Sequence, residues 1–499
     1  MEIQFSKNTL EYLRQVVWQS KQTEQTQDVK LPEAMPDIGS VLASWGQPVL
    51  RGKTWHGNAM TANGGIMVWI LYAPEDGGPP QTVETWLPYQ LRWEFPPTQH
   101  DGIMQVRTDL QALDVRSVSP RKLMVRAVIQ AHGEAVEPAR QELLKPEQLP
   151  DGVEALYQSY PVELPREAGE TAFELEEPIR LPSHCREAGG VVYYRLLPQI
   201  TDRKIMVDKA VFRGLLKLWG LCREEDGRLK PFLQEIPFSR YADLQASYPE
   251  GAQLRILPEL TNAELEWDEE GNSVLKAGLV AQFVITDRTV LETVEDVYAL
   301  SREMEPQWEP MELPVILEQR RDALRVQQKV EAEAAEILDV AVCLGQASQA
   351  KEPDRVTFRQ PGSFQVLYTD MDGKIRGATG GWEEELSWPA PKSTILFPGV
   401  TCLGIPTADC QPGQISVQAD LQLDTQTVTN QNFPMLTGLK LGEIREKDPD
   451  RPSLILRRVG TDSLWQIAKQ CGSTMEAIRK ANGGEQELLP DTVLLIPIA

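Results

Sequence analysis

The apolar run Val68-Trp69-Ile70-Leu71-Tyr72 is followed four residues later by Asp76-Gly77. The same pattern returns twice, as the runs at 218–222 and 364–368 with Asp-Gly pairs at 226–227 and 372–373. β-Branched and aromatic residues favour strands, and an Asp-Gly pair suits the positive φ angles of a tight turn. Each copy therefore predicts a strand entering a hairpin, and the chain is predicted to be mainly β and built from tandem units.

The spacing between the copies indicates repeats of domain size. Leu71, Leu221 and Leu367 hold the same place in the three runs, and they lie 150 and 146 residues apart. Such units are too long for solenoids or propellers, so they predict three tandem β-rich domains. The predicted divisions are an N-terminal arm at 1–27, β units at 28–150, 151–304 and 305–442, a linker at 443–452 and a small module at 453–499.

Two segments carry helical signals within this β chain. Residues 1–27 are polar with a weak rhythm of Leu10, Leu13 and Val17, which predicts a short helix or a frayed arm. Residues 318–339 are rich in Ala and Glu and form the strongest predicted helix, inserted into the third unit. Because the stretches between the units are rich in proline, the three units are predicted to have separate cores.

The charge of the chain disfavours several classes of partner. Acidic residues outnumber basic ones, 73 against 50, and the net charge is −23. Such a field repels phosphate backbones and anionic lipid, which argues against nucleic acid and direct membrane insertion or adsorption. No apolar run approaches the roughly 20 residues that span a bilayer, and residues 1–27 lack the apolar core of a signal peptide. A cytoplasmic protein is expected.

The sequence carries no recognisable catalytic or metal motif. Its six cysteines form no CxxC pair, which predicts free thiols and no bound metal. His184-Cys185 is the only adjacent nucleophile and base, and a loop is the preferred interpretation because no orienting group or oxyanion site can be named. A glycosidase pair of carboxylates stays open as an alternative. A non-enzymatic protein without a cofactor is therefore expected.

Three tryptophans invite a sugar-stacking interpretation. Trp69 and Trp219 occupy matching strand positions in two units, and Trp465 lies beside the apolar face of a predicted helix. Flat rings bind sugars and peptides, but these positions are typical of core residues. All three are predicted to be buried.

The C-terminal module is predicted to contain a strand, two helices and a second strand, in that order. It resembles a LysM domain. Ser463 begins a capping-box pattern and Gly472 ends the first predicted helix. The resemblance rests on Ser463-Leu464-Trp465-Gln466-Ile467-Ala468, Ile478-Arg479-Lys480-Ala481-Asn482 and Leu494-Leu495-Ile496-Pro497. It implies a small α+β (βααβ) fold with a groove formed by two loops.

The groove loops supply the candidate binding residues. The loops are expected at 460–462 and 483–488, and the candidate residues are Gly460, Thr461, Asp462, Ser463, Asn482, Gly483 and Gly484. LysM domains usually carry Gly-Asp before Ser-Leu-Trp, whereas this chain has Thr461-Asp462 with Gly460 one position early. Since glycine permits a positive φ and a close approach to a ligand, this change is expected to favour a protein partner over a glycan.

The three β units resemble the SPOCS domain of endospore formers. The resemblance rests on Leu31-Pro32 with Met35-Pro36-Asp37-Ile38, Ser119-Pro120-Arg121-Lys122, Asp202-Arg203-Lys204-Ile205, Ile236-Pro237-Phe238-Ser239 and Val366-Leu367-Tyr368. It implies a mother-cell scaffold that tethers the spore coat to the forespore surface through a SpoIVA-like coat ATPase and other coat proteins. The alternative is a wall protein that binds peptidoglycan or another N-acetylglucosamine glycan. The absent signal peptide favours the scaffold.

Overall fold

Strands make up almost all of the regular structure in the computed structural model, which describes residues 4–98, 101–181, 190–224, 226–267, 272–389, 394–396, 400–445, 452–484 and 492–498. In the first part of the chain the strands are β1 (Phe5–Lys30), β2 (Ile38–His56), β3 (Ala59–Pro74), β4 (Gln81–Glu94), β5 (Ile103–Ser119) and β6 (Lys122–Pro146). They are followed by β7 (Val153–Ile179), β8 (Val191–Met206), β9 (Lys209–Arg223), β10 (Leu229–Asp243), β11 (Gln253–Trp267) and β12 (Ser273–Ala299). The third part contains β13 (Arg302–Glu331), β14 (Ala334–Leu344), β15 (Ser348–Lys351), β16 (Arg355–Asp370), β17 (Ile375–Pro389), β18 (Thr394–Leu396), β19 (Val400–Cys402), β20 (Thr407–Gln411) and β21 (Gln414–Ile444). The C-terminal module contains β22 (Leu454–Arg458), α1 (Leu464–Cys471), α2 (Met475–Ala481) and β23 (Val493–Pro497).

The same order of strands occurs three times. A long strand comes first (β1, β7 or β13), and a meander with a central strand follows (β2-β3-β4, β8-β9-β10 or β14-β16-β17). The last long strand of each unit (β6, β12 or β21) then returns to pair antiparallel with the first. The prediction of a mainly β chain with tandem units is therefore confirmed.

The Asp-Gly pairs form the hairpin turns that the sequence predicts. Gly77, Gly227 and Gly373 have φ angles of 77°, 84° and 78° and lie between the second and third strands of their meanders. A residue with a Cβ is strained at these angles, so glycine fits the turn. Trp69 and Trp219 lie on the central strands, and both are buried as predicted.

Both helical expectations for the β units are wrong. Residues 318–339 lie in β13 and β14, and residues 5–27 lie in β1. β13 pairs with β21 along nearly its whole length, and Arg321 and Arg325 form cross-strand ion pairs with Asp424 and Asp420. Pairing with a distant strand therefore overrides the helical propensity of the Ala- and Glu-rich stretch. β1 is the first long strand of the first unit and pairs with β6.

The first and third units each have a buried cluster of their own, and the three units also pack against one another. The largest buried cluster includes Trp45 and Leu71 of the first unit, Tyr193 and Leu218 of the second and Leu367 of the third. A second cluster joins the long strands, with Leu10 on β1, Leu164 on β7 and Leu313 on β13. Apolar faces of neighbouring sheets cover one another across the predicted domain boundaries.

The cysteines do not all follow the prediction of free thiols. Cys343, Cys402 and Cys410 are free, whereas Cys222 is disulfide-bonded. The pair His184-Cys185 lies outside the described residues. Neither α1 nor α2, the helices of the described part, is long and apolar enough to cross a membrane.

Candidate functional site

The C-terminal module has the strand-helix-helix-strand order that its sequence predicts. β22 and β23 are antiparallel, and Arg458 at the end of β22 faces Val493 at the start of β23. The loop that leaves β22 and the loop that enters β23 therefore lie at the same end of this two-stranded sheet. The backbone N–H of Val459 donates to the carbonyl of Thr492 at 2.8 Å, which ties the two loops together.

Local capping explains why the two short helices form where they do. The Ser463 Oγ accepts a hydrogen bond from the N–H of Gln466 at 3.2 Å, and the Gln466 Oε1 accepts from the N–H of Ser463 at 2.8 Å. Gly472 ends α1 with a φ of 66°, and the Thr474 Oγ1 accepts from the N–H of Ala477 at the start of α2. The predicted capping box and glycine stop are confirmed.

The first candidate loop is open to solvent and unstrained. Gly460, Thr461 and Ser463 are exposed, and a Cβ placed on Gly460 would meet no atom within 4 Å. Asp462 is tied to the module by Arg457, whose Nη2 lies 2.5 Å from the Asp462 Oδ2. Val207 is the one non-glycine residue with a positive φ in the described part of the chain, so Thr461 has an ordinary backbone conformation. The expectation that the change from glycine to Thr461 favours a protein partner over a glycan stays a prediction.

The second candidate loop begins with a structural asparagine and two glycines. The Asn482 Nδ2 donates to the carbonyls of Ile478 and Leu495, and its Oδ1 accepts from the N–H of Leu495. This side chain therefore fixes α2 to β23. Gly483 and Gly484 have φ angles of 88° and 110° and are exposed, with open space around both. The rest of the predicted loop, from residue 485 to 488, lies outside the described residues.

One face of α1 is docked against the end of β12 in the second unit. Trp465 is buried, its ring meets that of Tyr298 edge-on at 4.7 Å, and its Nε1 donates to the Asp296 Oδ2 at 2.8 Å. The Lys469 Nζ lies 2.7 Å from Asp296, and the Tyr298 hydroxyl donates to the carbonyl of Ser473 at 2.7 Å. Trp465 is thus core, as predicted. Gly460, Thr461, Gly483 and Gly484 stay exposed beside this docked face.

The sequence does not identify the residues that receive the module. Asp296 follows a bulge in β12, and Tyr298 is the second residue after it, so both belong to a strand far from the module in sequence. Burial acts to raise the pKa of Asp296, but hydrogen bonds from Lys469 and Trp465 outweigh it and hold the pKa below its usual value. The carboxylate is therefore charged at neutral pH and holds α1.

Asp296→Asn is expected to loosen the docked module without unfolding it. The amide oxygen still accepts from Trp465, but the attraction to Lys469 is lost, which costs about 1 kcal/mol or less for a partly exposed pair. Hydrogen exchange of the full chain should then be faster across residues 464–471. Glu295→Gln removes the adjacent exposed carboxylate and is the matched control. Equal exchange in the two variants would contradict the docking role of Asp296.

Two buried side chains of the β units, His132 and Glu259, have strongly shifted pKa values. His132 is buried, and its pKa is lowered to about 3 by burial and by the charges of Arg107 and Arg255, so its ring is neutral. Burial and the charge of Asp109 raise the pKa of Glu259 to about 8. Sequence reasoning misses this carboxyl group because its burial comes from other strands. Within the described ranges, no cluster of three or more His, Cys, Asp or Glu side chains is arranged to hold a metal ion.

Comparison with known families identifies the module. Residues 461–497 match the family model of the LysM domain. No curated protein and no solved structure matches the chain. The LysM part of the sequence prediction is therefore confirmed, and the match is confined to the C-terminal module.

Proposed function

We propose that the chain binds an N-acetylglucosamine-containing glycan of the peptidoglycan class through the two loops of its LysM module. The observation that carries this proposal is that Gly460, Thr461, Gly483 and Gly484 are exposed on a LysM module that is docked on β12 through α1. The β units then serve as a large base that holds the module with its groove open.

The chemistry of the loops supports a sugar ligand. Gly483 and Gly484 have no side chain and open space around them, so a sugar ring can approach the backbone closely. Backbone N–H and C=O groups and the Thr461 hydroxyl provide donors and acceptors for sugar hydroxyls and N-acetyl groups. Thr461 has an ordinary backbone conformation, so its hydroxyl is presented without strain in the loop. Since Trp465 is buried, recognition rests on hydrogen bonds and not on ring stacking.

A second candidate function is a protein adapter of the spore coat. SPOCS-like units followed by a LysM module resemble the layout of the clostridial coat morphogenetic protein SipL, and a SpoIVA-like coat ATPase at the forespore surface would be the partner. The observation that favours a protein partner is a group of apolar side chains on the exposed surface of the β22-β23 sheet. Leu454, Leu456 and Val493 are all exposed there, and Leu456 is 69% exposed.

Two substitutions in the full chain separate these functions. Thr461→Trp fills the groove and is expected to weaken co-sedimentation with purified peptidoglycan about tenfold or more. Leu456→Trp places the same ring on the exposed surface of the β22-β23 sheet and should leave glycan binding unchanged. Peptidoglycan binding that is absent in the wild type, or equal in both variants, would contradict the glycan proposal. If capture of a purified SpoIVA-like ATPase instead fails with Leu456→Lys and survives Thr461→Trp, the adapter is supported.

A further inference from the structure

Two neighbouring cavities lie where the three β units meet. Their volumes are about 490 and 380 Å³, within the usual range for small-molecule sites. The side chains that line both cavities are Glu134, Arg203, Arg255, Arg321 and Asp424. They come from all three units, since Glu134 is on β6, Arg203 and Arg255 are on β8 and β11, and the other two are on β13 and β21.

Both carboxylates of this set already have side-chain partners within the protein. Glu134 forms an ion pair with Arg255. The Asp424 Oδ1 accepts from the Arg321 Nε at 2.8 Å, and its Oδ2 accepts from the Gln422 Nε2 at 2.8 Å. Four of the five charges common to both cavities therefore cancel in pairs, which leaves Arg203. Lys204 and Glu250, of opposite charge, also line the larger cavity, and Arg195 lines the smaller one.

Arg203 has no counter-ion of its own in the described part of the protein, where no carboxylate lies within ion-pair distance of its guanidinium. Withdrawal from water lowers the pKa of Arg203, the charge of Arg321 lowers it further, and Asp424 offsets only part of this effect. The Arg203 side chain is exposed to solvent, so a small anion can reach its guanidinium.

The larger cavity adds an apolar wall beside this cation. Leu13, Val136, Val284 and Ile316 line it, and Trp18 lies under the Arg255 guanidinium at 5.7 Å from the ring centroid. A ligand with a small apolar body and one anionic group matches this combination of surfaces.

We propose that the junction of the three units binds a small organic anion, with a phosphate or carboxylate group on Arg203 and an apolar part against Leu13, Val136 and Ile316. The planar guanidinium donates two parallel hydrogen bonds to either group, which gives both charge and orientation. Because the site draws on all three units, its occupation stabilises their joint packing. The site is separate from the LysM loops and does not depend on their function.

The test uses the full chain and small probes in low salt. Phenyl phosphate combines both features of the ligand, whereas inorganic phosphate lacks the apolar part and phenol lacks the charge; benzoate tests a carboxylate in place of a phosphate. Calorimetric titration is expected to show phenyl phosphate or benzoate binding at least about tenfold more tightly than inorganic phosphate or phenol. The stronger of the two anions identifies the preferred group.

Arg203→Gln tests the residue itself. This variant is expected to bind the preferred anion about tenfold or more weakly, while its melting temperature without ligand stays equal to that of the wild type or rises, because no ion pair is lost. Arg213→Gln, on the exposed surface of β9, removes the same charge outside both cavities and should bind like the wild type. Equal binding by the two variants, or no binding of either anion by the wild type, would overturn the proposal.

Discussion

Replacement of Trp45 by alanine is expected to lower the free energy of unfolding of the whole chain by about 3–5 kcal/mol. Trp45 is only 2% exposed, and its ring stacks on that of Tyr193 with centroids 3.9 Å apart. Its Nε1 donates to the Asp339 Oδ2 at 2.8 Å. One side chain of the first unit thus contacts the second and third units together, and its loss removes contacts that join all three.

The carboxyl group of Asp339 adds to this effect. Burial raises the pKa of Asp339, while the hydrogen bond from Trp45 acts in the opposite direction. Trp45→Ala removes this donor, and a buried acceptor left without its partner costs about 1–3 kcal/mol. The loss of unfolding free energy in Trp45→Ala should therefore lie at the upper end of the range of about 3–5 kcal/mol.

Urea unfolding followed by circular dichroism measures the loss. Trp308→Ala is the matched control, because Trp308 is on β13 and 37% exposed, so its removal should cost about 1 kcal/mol or less. A similar loss in both variants would show that Trp45 does not join the units.

The sequence predicts the parts of this fold that local chemistry determines. The Asp-Gly turns, the buried tryptophans of the central strands and the caps of α1 and α2 each depend on residues a few positions apart. The residues that join the units do not follow such a pattern. Trp45, Tyr193 and Asp339 meet only after three separate meanders have formed and packed.

The two missed strands show why a helical signal was misleading. β1 is an edge strand, and its residues 19–28 are all polar, so it has no apolar alternation that could mark a strand. The second half of β13 is mostly exposed and rich in good helix formers, but its backbone groups pair with those of β21. In both cases hydrogen bonds to a distant strand, and not burial, determine the secondary structure.

The candidate site also has parts that the sequence predicts and parts that it does not. The groove loops and their capping residues are visible in the sequence because the LysM pattern is local. The docking of Trp465 on Asp296 and Tyr298 joins residues about 170 positions apart, and the cavity around Arg203 draws on eight strands. No spacing rule within one unit predicts either arrangement.

The second large effect is expected from Glu259, whose replacement by glutamine should stabilise the protein in alkaline solution. Glu259 is buried, and its Oε2 accepts a hydrogen bond from the Thr108 Oγ1 at 2.8 Å. Burial and the charge of Asp109 raise its pKa from 4.5 to about 8. The folded protein therefore keeps a proton that the unfolded chain releases, and stability falls as the pH rises from about 4.5 to about 8, by about 1.4 kcal/mol per pH unit at most.

Glutamine has the shape of the protonated carboxyl group and cannot ionise, so it removes this dependence on pH. At pH 5 the free energies of unfolding of Glu259→Gln and the wild type should differ by less than about 1 kcal/mol, and at pH 9 the variant should be more stable by a few kcal/mol. Comparison of the two proteins at each pH cancels the titration of His132 and of other groups. Glu264→Gln, at an exposed position on the same strand, should show no such change between the two pH values. A constant difference between Glu259→Gln and the wild type from pH 5 to pH 9 would mean that Glu259 is ionised throughout this range in the folded protein, and that charged neighbours or water reach it in spite of its burial.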